Sequence, residues 1–276
     1  MYGLRDKDIP NNPYFYSKLV NQLPIGKYEI TNSLSEDLAF QVTLGWGLSH
    51  YQFDKYKKNS SLTLKTLKAP KGLEKSKSEA ILKAIKITRD LINTPTNDLG
   101  PKELSDFSRT LAKENKASFR EIVGEDLLKR GFPTIHAVGR ASIKEPRLID
   151  FTWGKTSDPK ITLIGKGVCF DSGGLGIKSS GSMRWMKKDM GGAANVLGLA
   201  SAIMDLKLPI RLRVIIPAVE NSISSNSFRP GDIIKSRNGM NIEIGHTDAE
   251  GRLILCDALT LADEEDPSLL IDFATL

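Results

Sequence analysis

The chain is 276 residues long, 40% hydrophobic and carries a formal net charge of +6. It can bury a sizeable core in one or two domains, and its lysines are too scattered to indicate a nucleic-acid partner. No run reaches the about 18 apolar residues of a membrane span, and MYGLRDKDIPNNPY has no apolar signal core, so a soluble cytoplasmic protein is expected. Cys169 and Cys256 stand alone, without metal-pair spacing; they read as buried packing residues in a reducing compartment, not a disulfide framework.

Residues 1 to 55 are polar and aromatic, with Tyr14, Phe15, Tyr16, Trp46, Tyr51, Phe53 and Tyr56 at irregular spacing. They read as core or contact surface too small for an independent domain, with His50 a helix-end or packing histidine. KKNSSLTLKTLKAPKGLEK, 57–75, reads as a connecting segment, so the expected division is 1–70 and 71–276. From Ser76 to Ile92, Ala80, Ile81, Ala84, Ile85, Thr88 and Leu91 form one helical face. A turn follows at Asn93, Pro95 and Asn97, and Pro101 opens a second helix to about Ala117. Phe119 to Val123 and Arg147 to Trp153 predict strands, with a short helix over 124–130 and His136 packed in the connection.

In ITLIGKGVCFDSGGLGIKSSGSMRWMKKDMGG, 161–192, an apolar strand collapses into glycines while Lys166, Asp171, Lys178 and Asp189 appear in quick succession. A helix over 191–204 starts directly after Asp189, which places that carboxylate at a positive helix end. Arg211 to Ile216 predicts a strand, 221–231 a loop, Arg237-Asn238-Gly239 a hairpin turn, and Met240 to Ile244 a strand. In HTDAEGR, Asp248 and Glu250 are two apart, so an extended backbone would point both carboxylates to one side. A helix over 253–261 and a strand-like run over 269–276 complete an α/β pattern with a mainly parallel sheet flanked by helices. Taken singly, each charged residue reads as solvated surface. As a set embedded among glycines and strand residues, four carboxylates would repel unless cations neutralise them, and two divalent ions are a known solution.

GKGVCFDSGGLGIK, MKKDMGGAA and TDAEGRL together resemble the signatures of the leucyl aminopeptidase family, the cytosol aminopeptidases of peptidase family M17. The likeness extends through LINTPTNDLGP, VGRAS, PRLIDFTWG and PAVENSISSNSFRPGD, from about residue 78 to Leu276. It implies a zinc-peptidase-like catalytic domain after a short remnant of an N-terminal domain, to whose final part QVTLGWGLSHYQFDKYKK is similar. Since the family's domains are longer at both ends, it also implies a truncated chain.

By this resemblance Lys166, Asp171, Asp189 and Glu250 bind one divalent metal ion and Asp171, Asp248 and Glu250 the other, zinc or manganese. Lys178 stabilises the tetrahedral oxyanion, and Arg252 holds a bicarbonate anion that shuttles a proton. Lys166, Asp171, Lys178, Asp189, Thr275 and Leu276 are the implied substrate contacts, and His246, where asparagine is common, is implied to support the ligands from behind. The implied activity is metal-dependent release of N-terminal, leucine-like residues from peptides by a homo-oligomer, a hexamer in the family. The alternatives are an inactive metal-binding fragment or homologue-associating protein, an added nucleic-acid-binding role, and a two-metal phosphatase. The last is disfavoured by the lysine and arginine at the peptidase positions.

Overall fold

The computed structural model describes residues 12–57, 65–71 and 73–276. Residues 1–11, read as lacking an apolar signal core, and residues 58–64 and 72 of the lysine-rich segment read as a connection lie outside the described residues. The chain forms two compact units divided between Lys86 and Ile87.

The first unit holds α1 (Pro13–Gln22), β1 (Gly26–Tyr28), α2 (Glu36–Ser49) and β2 (Lys65–Leu67). Two helices stand where only irregular aromatics were read. Asn12 caps α1 by accepting from the Tyr14 N–H at 2.9 Å with Pro13 at the first helical position, and Ser35 caps α2, followed by Glu36 and Asp37. Gly45 lets the helices touch: a Cβ there would lie 2.2 Å from the Pro13 carbonyl oxygen. Residues 65–67, expected in a connecting segment, pair in parallel with β1. His50 ends α2 as expected, its Nδ1 2.8 Å from the Trp46 carbonyl oxygen.

The second unit takes in the end of α3 (Lys75–Asn93), then α4 (Pro101–Glu114), β3 (Ser118–Val123), α5 (Asp126–Lys129), α6 (Pro133–Gly139), β4 (Arg147–Trp153), β5 (Lys160–Gly165) and β6 (Gly167–Asp171). After these come α7 (Ser180–Met183), a 3₁₀ helix (Met186–Met190), α8 (Gly191–Asp205), β7 (Arg211–Asn221), β8 (Ile233–Lys235), β9 (Asn241–Glu243), α9 (Glu250–Asp263) and β10 (Leu269–Phe273). The main sheet runs β10-β5-β7-β4-β3, with β6 also on β7. The expected α/β architecture is present as a mixed sheet. The pairings of β10 with β5 and of β5 and β6 with β7 are parallel, and those of β7 with β4 and β4 with β3 are antiparallel.

Strand alternation divides the core in two. Ile149, Phe151, Leu163 and Val214 face a cluster with Leu104, Leu111, Val196 and Leu197, which belong to α4 and α8. Their neighbours Leu148, Ile164 and Ile215 face the other cluster, with Ile135, Ile254 and Ala258 from α6 and α9. Fully burying each such side chain contributes about 2 kcal/mol. The helix α8 is apolar almost all round, which suits its near-complete burial. It comes very close to the strand ends. A Cβ on Gly192 would sit 2.1 Å from the Phe273 carbonyl oxygen, and one on Gly165 2.5 Å from the Ala193 Cα.

Several boundaries differ from expectation. The strand β7 continues past the expected end at Ile216 to Asn221, the first residue read as loop, because β6 supplies a partner for residues 218–221. The helix α9 starts at Glu250, preceded by a turn at Thr247 and Asp248, so the extended backbone expected for Asp248 and Glu250 is absent. His136 lies inside α6, its Nε2 3.0 Å from Glu125 Oε1. Cys169 is buried as expected, whereas Cys256 is half-buried. The hairpin turn at 237–239 stands between β8 and β9 as read.

Candidate metal centre

Lys166 occupies the one-residue break between β5 and β6, where its own backbone is tied on both sides. Its N–H donates to the Phe273 carbonyl oxygen and its carbonyl accepts from Ala193, both at 2.9 Å. The side chain reaches between two elements. Lys166 Nζ lies 2.9 Å from Asp189 Oδ2, 3.0 Å from Glu250 Oε1 and 3.1 Å from the Thr275 carbonyl oxygen. Asp189 sits in the 3₁₀ helix directly before α8, and the Thr275 hydroxyl donates to Asp189 Oδ1 at 2.8 Å.

Asp171 closes β6, and the chain reverses there through Gly173 at φ +86° and Gly174 at φ +63°. The Lys178 N–H donates to the Ser172 carbonyl at 2.9 Å, closing a loop that turns Lys178 back toward the strand end. Lys178 Nζ then lies 2.9 Å from Asp171 Oδ2 and 2.5 Å from Asp248 Oδ1. Asp248 comes from the turn before α9 and Glu250 is the first residue of that helix. Ligand atoms of Asp171, Asp248 and Glu250 all lie within 4.8 Å of one another.

These groups line one cavity of about 580 Å³, and every site residue expected from the sequence is on its wall: Lys166, Asp171, Lys178, Asp189, Asp248, Glu250, Arg252, Thr275 and Leu276. Lys188, Met186, Leu255 and Asp272 line it too and were not singled out in the sequence. Only the doubled lysine of MKKD and the outward position of Asp272 on an edge strand could have pointed there. Arg252 is exposed and makes no hydrogen bond or ion pair with a described residue. His246 is exposed, and its Nδ1 accepts the Asp248 N–H at 3.0 Å.

Within this wall the carboxylates of Asp171, Asp189, Asp248 and Glu250 are ion-paired to the two ammonium groups of Lys166 and Lys178, an excess of negative charge in a largely buried cluster. Burial raises the Glu250 carboxyl to about 7; Lys166 opposes the rise, while the charges of Asp171 and Asp189 add to it. Burial also raises Asp171 above the ordinary range, against hydrogen bonds from Lys178, Gly173 and Asn221. For both lysines burial pulls down, but the facing carboxylates outweigh it and hold them above the usual value. Glu250 Oε2 is buried without a hydrogen-bond partner. Excess carboxylate and an orphaned buried oxygen beside a neutralisable amine fit a divalent cation site.

The chain's 86–276 segment matches the model of the cytosol aminopeptidase family catalytic domain, and residues 7–69 match that of the M17 aminopeptidase N-terminal domain. The chain belongs to the cytosol aminopeptidase family. A probable cytosol aminopeptidase of Persephonella marina is 42% identical over 251 residues, 87% of this chain and 50% of the relative. One from Pseudomonas fluorescens is 43% identical over 223 residues, 80% of this chain and 45% of the relative. The chain thus spans about half the length of the curated relatives it matches. The crystal structure of a cytosol aminopeptidase from Coxiella burnetii superposes with a TM-score of 0.90 at 48% identity, over 96% of this chain and 57% of that one. The bottromycin maturation enzyme BotP in complex with Mn gives 0.85 at 33% identity, covering 96% and 60%.

Proposed function

We propose that this family member is a metal-dependent aminopeptidase that releases leucine-like N-terminal residues from peptides. The convergence of Asp171, Asp248 and Glu250 within 4.8 Å carries the reading. The division of labour proposed with it gives residues 71–276 the chemistry and residues 1–70 an N-terminal domain, in keeping with family matches at 86–276 and 7–69.

Lys166, Asp171, Asp189 and Glu250 would hold one divalent ion, and Asp171, Asp248 and Glu250 a second, zinc or manganese. Bound there, the ions supply Lewis-acid charge for a scissile carbonyl and a water activated near neutral pH. The chain's own residues supply the rest. Lys166 must give up a proton to act as a ligand, which its carboxylate neighbours resist and a divalent charge nearby favours. Lys178 places an ammonium beside Asp171 and Asp248, where it can stabilise the oxyanion that develops as the carbonyl is attacked. Arg252, without a hydrogen-bond or ion-pair partner among the described residues, can hold a bicarbonate anion on the cavity wall as proton shuttle. Thr275 steadies Asp189, and Leu276 with Met186 and Leu255 offers apolar wall to a substrate side chain. A homo-oligomer, hexameric as the family resemblance implies, belongs to the same proposal.

The test is hydrolysis of leucine para-nitroanilide by protein stripped of metal and reloaded with manganese or zinc, beside the double variant Asp248→Ala, Glu250→Ala. Sedimentation of the same sample reads assembly. Activity that needs metal and falls at least about 1,000-fold in the variant supports the reading. Metal-loaded wild type without turnover would favour the alternative of an inactive metal-binding chain that associates with a homologue.

A further inference from the structure

The segments that carry Asp171 and the pair Asp248 and Glu250, 171–178 and 246–250, are far apart in sequence and are joined by two buried polar side chains outside the proposed ligand set. Asn221, 1% exposed at the end of β7, uses both amide hydrogens of Nδ2. One goes to Asp171 Oδ1 at 2.8 Å and the other to the Thr247 carbonyl oxygen at 3.0 Å. Thr247, 0% exposed, donates its hydroxyl to the Gly173 carbonyl at 2.7 Å and accepts the Gly176 N–H at 2.8 Å. The backbone of Asn221 adds to the knot, its carbonyl accepting from the Ser172 hydroxyl at 2.7 Å and the Ser172 N–H at 3.1 Å.

This arrangement does two things to the carboxylates. Asp171 Oδ1 is taken by the N–H groups of Gly173 and Asn221, both at 2.8 Å, so Oδ2 is the oxygen left toward the cavity, where it faces Lys178. Thr247 immediately precedes Asp248, so anchoring Thr247 to Gly173 and Gly176 fixes the distance from Asp171 to Asp248 and Glu250. Neither residue lines the cavity. We infer that Asn221 and Thr247 are positioning residues that join the two ligand segments, fix Asp171 as a single-oxygen ligand and thereby set divalent-metal affinity.

The inference rests on the metal reading of the site, and manganese titration by calorimetry separates the two. Asn221→Asp places a second carboxylate against Asp171, Thr247→Val deletes the hydroxyl at nearly constant shape, and Thr247→Ser restores it. Removing a group that orients a metal ligand weakens binding by about 10- to 100-fold. Asn221→Asp and Thr247→Val are each expected to lose that much Mn²⁺ affinity, and Thr247→Ser to stay within about threefold of wild type. Melting in chelator is the control: a merely structural role lowers the melting temperature and leaves the Mn²⁺ affinity of the folded protein unchanged. Thr247→Val and Thr247→Ser carry the comparison if Asn221→Asp does not fold. Affinities of the folded Asp and Val variants within threefold of wild type overturn the inference while leaving the metal reading intact. Wild type that takes up no Mn²⁺ overturns both.

Discussion

The same sheet carries two buried charge clusters, and they are built on opposite plans. On β4, Asp150 is gripped by two arginines: Arg213 donates from Nε at 3.1 Å and from Nη2 at 2.7 Å, and Arg120 from Nε at 3.0 Å and from Nη2 at 2.7 Å. Arg213 also lies 3.2 Å from Glu265, so the acids and the guanidinium groups balance and both Asp150 oxygens are satisfied. At the ends of β5 and β6, four carboxylates face only two lysines, and Glu250 keeps a buried oxygen without a partner. Arginine is a permanent charge with a planar fork that locks a carboxylate in place. Lysine is a point charge that can turn away or lose its proton. The Asp150 cluster is closed, and the cluster proposed as the metal site is left open to an incoming cation.

Removing the centre of the closed cluster should have the larger effect. Asp150→Ala leaves the Arg213 guanidinium, 3% exposed, without its main partner, and breaking a buried pair costs about 3–5 kcal/mol. Urea unfolding reads this directly, and a loss below about 1 kcal/mol would mean that water or Glu265 takes over the role. The open cluster should respond in the other direction. Manganese at about 100 times its dissociation constant should stabilise wild type by about 2.7 kcal/mol and leave Asp248→Ala, Glu250→Ala unmoved. Thermal unfolding with and without the ion measures it. Equal stabilisation of the double variant would mean that the ion binds elsewhere, and the contrast between the clusters would fail.

The site was more legible in the sequence than the fold around it. Lys166, Asp171, Lys178 and Asp189 stand among glycines that strand-end geometry demands, and all of them reach the cavity wall. Asp248 and Glu250 also arrive there, although their backbone is not extended as expected. A turn and the first residue of α9 converge just as well, and the i, i+2 spacing alone does not distinguish the two. The antiparallel direction of β3 and β4 was not read, although SFREIV interleaves polar and apolar residues and RLIDFTW is broken by Arg147, Asp150 and Thr152, unlike the continuous apolar run of a buried parallel strand. Asn221 was missed because it is strand only through its pairing with β6, fifty residues earlier in the chain. For α1 and α2 the signal lay in the caps, Asn12-Pro13 and Ser35-Glu36-Asp37, while α2 is too evenly apolar to show a helical period.

A third acid sharpens the comparison from the weak end. Glu121 on β3 accepts from the Ser105 hydroxyl at 2.6 Å and from Arg147 at 3.2 Å, and it pairs with Arg109, whose side chain is 49% exposed. Burial pulls its carboxyl upward, but Ser105, Arg147 and Arg109 together outweigh that and hold it below the ordinary value of 4.5. A depressed carboxylate contributes its full stabilisation above that ordinary value and loses it as pH falls through the lower, folded-state value. Because water screens the outer part of the cluster, Glu121→Gln should cost only about 1 kcal/mol at neutral pH. The gap to wild type in urea midpoints should then close as the pH is lowered below 4.5. A gap that persists in acid would show that Glu121 contributes by packing rather than charge, and that matching an acid with arginines is not by itself what makes a cluster closed.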